Sequence, residues 1–189
     1  MLLTHLGMVE GPAGEPRPSL GIPNVLTLAR AGALPALAFL TAEPAAWLAV
    51  LLAALVSDVL DGAIARQQGT QTRLGVYLDP SIDVALAIVA SLSAAAAGWL
   101  PWWAAALVIV RYTLPPLLVG IHYFARAAAP PRGDFVAGRI PGLIVAAGFV
   151  LAPLGAPAEL SGAIVGAGAV AGLGTAGVSA WRTFGVTHG

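Results

Sequence analysis

Residues 45–96 read AAWLAVLLAALVSDVLDGAIARQQGTQTRLGVYLDPSIDVALAIVASLSAAA. Two long apolar stretches flank a polar centre. That centre holds Asp58, Asp61, Asp79 and Asp83, four of the nine acidic residues in the chain. A helix needs about 20 mostly apolar residues to cross a bilayer, and both flanks approach that length. An ionisable group in or beside such a span is expensive, and by default it marks a functional site.

The rest of the chain fits the same setting. It has 189 residues, of which 58% are hydrophobic and 10% charged, and its mean hydropathy is +0.86. A soluble domain carries roughly 25% charged residues. The chain therefore reads as an integral membrane protein. A net charge of zero gives no basic field for nucleic acid. The absence of cysteine excludes disulfides and thiolate metal sites.

On the length of a bilayer-spanning helix, six spans fall at roughly 24–41, 45–66, 75–98, 102–125, 138–156 and 160–180. Glu43-Pro44, Gly98-Trp-Leu-Pro101 and Gly155-Ala-Pro157 punctuate them. Arginines flank alternate loops: Arg17, then Arg66 and Arg73, then Arg126, Arg132 and Arg139, then Arg182. The positive-inside rule then puts both termini in the cytoplasm and the aspartates at the cytoplasmic ends of spans two and three. Trp99, Trp102 and Trp103 fall at the opposite face, where an aromatic belt belongs. His122 reads as a packing histidine. Gly162, Gly166, Gly168, Gly172 and Gly174 read as close helix packing, in a bundle or a dimer. The expected fold is thus all-α and polytopic. Residues 1–21 form a juxtamembrane arm without the features of a signal peptide, and residues 22–182 form one membrane domain.

Asp58 and Asp61 are three apart, and Asp79 and Asp83 four apart, so each pair shares one face of its helix. Two antiparallel helices can turn these four carboxylates toward one another. Divalent cations remove the repulsion. All-oxygen ligands indicate a hard ion, Mg²⁺ or Mn²⁺. Two such ions side by side suit phosphoryl transfer. Gly62, Ala65 and Gly75 leave room for a bulky ligand near the backbone. Arg66 can reach phosphate oxygens with its planar donors; it reads alternatively as a snorkelling cytoplasmic arginine.

The pattern D-x-x-D-G-x-x-A-R, eight residues, G-x-x-x-D-x-x-x-D over residues 58–83 resembles the signature of the CDP-alcohol phosphotransferase family at every defined position. The resemblance implies Asp58, Asp61 and Asp79 as metal ligands. It implies Asp83 as a metal contact and the general base on the acceptor hydroxyl, and Gly62, Ala65, Arg66 and Gly75 as the CDP pocket. It also implies a homodimer in a prokaryotic inner membrane with its active site facing the cytoplasm. The expected reaction moves a phosphatidyl group from CDP-diacylglycerol to an alcohol and releases CMP.

Span one opens Pro23-Asn24-Val25-Leu26-Thr27-Leu28-Ala29-Arg30, similar to the phosphatidylglycerophosphate synthase branch of that family. Asn24 and Thr27 are expected to bind the nucleotide, with Asn24 equally suited to be an N-cap. Glycerol 3-phosphate is the expected acceptor, ahead of inositol phosphate, serine or phosphatidylglycerol. Arg111 and Arg139, with Arg73 and Arg30, are the candidates for its phosphate. Val84 after the last aspartate and Tyr112 after Arg111 depart from the glycerophosphate-using pattern, which leaves the acceptor open. Two other readings stand beside the enzyme: a divalent-cation transporter, and a non-catalytic family member.

Overall fold

Apolar runs punctuated by glycine and proline fold into helices. The computed structural model describes the backbone of residues 21–68, 73–126 and 139–185, with side chains over 26–60, 78–118, 120–121 and 139–178. Every regular element among the described residues is helical. These are α1 (Gly21–Ala31), α2 (Ala33–Phe39), α3 (Pro44–Gln68), α4 (Arg73–Ala96), α5 (Trp102–Arg126), α6 (Arg139–Leu151) and α7 (Ala158–Gly185). Short 3-10 turns, Leu40–Ala42 and Ala152–Leu154, finish α2 and α6. The expected arm at 1–21 lies outside the described residues except for Gly21. The chain divides into two compact units, one running to Val89 and one starting at Ala90.

In the first unit the expected span 24–41 is broken. α1 stops at Ala31, the Gly32 N–H bonds the Ala29 carbonyl at 3.0 Å, and α2 starts at Ala33. Pro35 supplies the reason. In an unbroken helix it has no N–H for the carbonyl of residue 31, and its ring presses on that carbonyl. Gly32, a weak helix former, takes up the break. Arg30 is thereby left in the last turn of α1. Asn24 lies inside α1, which is already helical at Gly21, so it is not the N-cap that its place after Pro23 suggested. Both α1 and α2 pack on α3. Leu37, Trp47, Leu51, Ala54 and Ile82 are buried.

In the second unit, glycines end two helices. Gly98 adopts φ 76°. Its N–H bonds the Ala95 carbonyl at 3.0 Å, and the Trp99 N–H bonds the Ala94 carbonyl at 3.0 Å. That is a Schellman cap. Gly155, at φ 87°, repeats the device with the Ala156 N–H on the Leu151 carbonyl at 3.4 Å. Pro101 and Pro157 follow and cannot continue the helices. Nothing lies within 4 Å of where a Gly98 Cβ would stand, so Gly98→Ala carries backbone strain alone. It is expected to lower stability by about 1 kcal/mol, read as an earlier melting transition in detergent.

Small residues let α5, α6 and α7 approach closely. A Cβ on Gly148 would collide with Val165, and one on Gly168 would stand 2.9 Å from the Pro141 carbonyl oxygen and from Val145. A Cβ on Gly162 would come to 2.5 Å from Pro101, and one on Gly166 to 2.7 Å from the Trp103 ring. Gly172 faces Arg111. A Cβ on Gly174 would meet nothing within 4 Å, so close packing does not require a glycine there.

Large apolar side chains point outward on most helices, among them Phe39, Val59, Leu117, Leu143 and Val170. Such an exterior suits lipid rather than water. Among the described residues, Leu78–Ala96 and Ala158–Val178 are long and apolar enough to cross a membrane. Leu26–Ala42, Pro44–Leu60, Trp102–Leu118 and Arg139–Leu154 are shorter apolar runs.

Candidate active site

Thr27 and Arg30 are three residues apart on α1 and so share one helical face. Both are buried, at 1% and 3% exposure. That face meets the aspartates. Thr27 Oγ1 donates to Asp79 Oδ1 at 2.6 Å. Arg30 Nη1 donates to Asp58 Oδ1 and, at 3.1 Å, to Asp83 Oδ1. Arg30 Nη2 stands 4.0 Å from Asp79 Oδ1. Three helices of the first unit therefore meet here: α1 brings the donors, α3 brings Asp58, and α4 brings Asp79 and Asp83 one turn apart.

The side chain of Arg30 is 1% exposed, while Asp58, Asp79 and Asp83 are 50%, 45% and 42% exposed. The cation is sealed in and the carboxylates keep an open side. A buried ion whose partner is removed costs about 3–5 kcal/mol. Here loss of one aspartate leaves the guanidinium two others. Three carboxylates against one guanidinium leave an excess of negative charge facing outward.

The donor chemistry fits a hard divalent cation. Oxygens from α3 and α4 converge on a single nitrogen, Arg30 Nη1, and so lie within reach of one small positive centre. Among the described residues no group of three or more acids or histidines is placed to hold a metal ion by itself. Arg30 stands between the carboxylates, and the Asp61 side chain is outside the described residues.

Other sequence candidates divide into three groups. The side chains of Asn24, Asp61, Ala65, Arg66, Arg73 and His122, and the surroundings of Gly62 and Gly75, lie outside the described residues. Arg139 opens α6 and is exposed. Arg111 belongs to the second unit. Its Nη1 donates to the Gly168 carbonyl of α7 at 2.7 Å, and its guanidinium lies 5.3 Å from the centre of the Tyr112 ring. The direct bonds from Thr27 and Arg30 to the aspartates differ from the expectation that both residues serve ligands. Their spacing held the clue: an arginine inside an apolar span needs a counter-charge, and the aspartates are the concentrated supply.

Comparison with known proteins agrees with this chemistry. The sequence model of the CDP-alcohol phosphatidyltransferase family matches residues 20–179. This family is membrane-integral, generally depends on a divalent metal, and uses CDP-diacylglycerol and an alcohol acceptor. A Mycobacterium tuberculosis protein named as a cardiolipin synthase is 35% identical over 104 residues, covering 53% of this chain and 48% of that protein. A second M. tuberculosis protein, named as a phosphatidylglycerophosphate synthase, is 29% identical over 131 residues, covering 68% of this chain and 60% of that one. The "Cardiolipin synthase (CMP-forming)" of Streptomyces coelicolor is 30% identical over 125 residues, with 62% and 58% covered. The chain spans about half the length of the first of these relatives. With a match that runs from just before α1 into α7, the protein belongs to the CDP-alcohol phosphatidyltransferase family.

Proposed function

We propose that the chain transfers a phosphatidyl group from CDP-diacylglycerol to an alcohol, releasing CMP, with glycerol 3-phosphate as the acceptor. The observation that carries this reading is the convergence of Asp58 and Asp83 on one cationic nitrogen, with Asp79 beside them. Asp58, Asp61, Asp79 and Asp83 would hold two ions, Mg²⁺ or Mn²⁺. When bound, such ions neutralise the diphosphate and make CMP a better leaving group. Gly62, Ala65, Arg66 and Gly75 would receive the CDP moiety, with Asn24 and Thr27 alongside.

Asp83 acts as the base. It takes the proton of the acceptor hydroxyl, whose oxygen then attacks the phosphorus carrying diacylglycerol. The bond from that phosphorus to the bridging oxygen breaks, and CMP departs with that oxygen. Local proton acceptance of this kind contributes roughly 10²–10⁴-fold. Arg73 would bind the acceptor phosphate, since Arg30 is buried against Asp58 and Asp83 and Arg111 donates to the Gly168 carbonyl. The site would face the cytoplasm, with both termini on that side, in a homodimer in the inner membrane.

Phosphatidylglycerol is the second acceptor to test, because relatives named as cardiolipin synthases stand beside the one named as a phosphatidylglycerophosphate synthase. Inositol phosphate and serine follow. The cation-transporter alternative finds no support in the family match or in these relatives.

Purified protein is expected to release CMP from CDP-diacylglycerol with one alcohol of this panel. Chelator should abolish the release, and Mg²⁺ or Mn²⁺ should restore it. Silence with every acceptor would overturn the reading. CMP release with phosphatidylglycerol but not glycerol 3-phosphate would replace the acceptor alone.

A further inference from the structure

Arg30 is a cation already seated among the carboxylates. Its side chain is 1% exposed, and one of its nitrogens serves Asp58 on α3 and Asp83 on α4 together. From the same face of α1, Thr27 fixes the third carboxylate, Asp79, at 2.6 Å.

We infer that Arg30 is a resident counterion of the carboxylate site. It holds Asp58, Asp79 and Asp83 in register before a divalent cation arrives, and it gives up its hydrogen bonds to the carboxylates as that cation takes its place on their oxygens. The inference rests on the metal-binding role given to these aspartates under the proposed function. It makes Arg30 a positioning residue whose charge opposes the first metal ion.

Two effects of removing it oppose one another. Loss of the positive charge favours an incoming dication, and loss of the bonds loosens the carboxylates. Charge dominates, because like charges a few ångströms apart in a partly dehydrated site interact strongly. The carboxylates also remain anchored on two helices when the guanidinium is gone.

Arg30→Gln and Arg30→Met, in detergent without nucleotide or acceptor, test this through Mn²⁺ binding followed by electron paramagnetic resonance. Both variants are expected to bind Mn²⁺ at least about tenfold more tightly than wild type. In chelator both should melt earlier than wild type, and Mn²⁺ should recover most of that loss. Unchanged or weaker Mn²⁺ binding would overturn the inference. So would an equal loss of melting temperature with and without Mn²⁺, which marks a merely structural arginine. If Arg30→Met does not fold, Arg30→Gln, which keeps an amide donor without the charge, decides alone. A wild type that binds no Mn²⁺ overturns the metal reading itself, a result distinct from a wild type that binds it as the variants do.

Discussion

Asp83→Asn is expected to reduce CMP release by roughly 10²–10⁴-fold, the range that a positioned general base contributes. The substitution preserves shape, and the amide oxygen can still accept the bond that Arg30 Nη1 now gives to Asp83 Oδ1 at 3.1 Å. The surrounding helices therefore have no reason to move. What the amide cannot do is take a proton from an attacking hydroxyl. Binding of CDP-diacylglycerol, followed by protection from thermal unfolding, should persist, because Asp58 and Asp79 remain on the same cluster. Near-normal turnover would remove Asp83 from the role of base. Loss of donor binding together with turnover would move it to the set of metal ligands alone.

The second large effect is expected in the second unit, at Gly168. A Cβ there would stand 2.9 Å from the Pro141 carbonyl oxygen, the Val145 N and the Val145 Cγ2. Two of these atoms are backbone and cannot rotate away, so α6 and α7 must separate. Overpacking of this kind costs about 1–3 kcal/mol for small additions, and Gly168→Ala should lose stability in that range. Gly168→Leu should fail to accumulate as folded protein. Gly174→Ala is the control on the same helix, since its Cβ would enter open space. It should match wild type or exceed it, because alanine is the better helix former. Equal melting of Gly168→Ala and Gly174→Ala would show that the close approach is not a constraint on folding.

Much of the architecture was legible because its causes are local. Gly98 and Gly155 followed by Pro101 and Pro157 announce helix ends in a few residues, and the helices end there. The stripe of glycines on α7 is likewise read from spacing, although spacing alone could not separate Gly174 from its neighbours. The break near Gly32 was missed for a different reason. Hydropathy averages over a window, and Pro35 hardly lowers the mean while it removes one specific hydrogen bond.

The site shows the same division. Helical spacing puts Asp79 and Asp83 on one face without any knowledge of the fold. The bonds from Thr27 to Asp79 and from Arg30 to Asp58 and Asp83 join residues 52, 28 and 53 positions apart. No local period encodes such pairs. They are tertiary: the bond to Asp58 crosses from α1 to α3, and the bonds to Asp79 and Asp83 reach α4.

The turn after Ala31 has an electrostatic consequence. Arg30 sits in the final turn of α1, but Gly32 keeps αR geometry, φ −65° and ψ −19°, and α2 starts one residue later. The positive pole of α2 therefore follows the negative pole of α1 at once, and the two largely offset each other. A helix that ended outright at Ala31 would have lent the guanidinium a share of its field. Here charge balance falls on the side chains around it, Asp58, Asp79 and Asp83 among them. Pro35 thus interrupts the helix without supplying the arginine a backbone counter-charge.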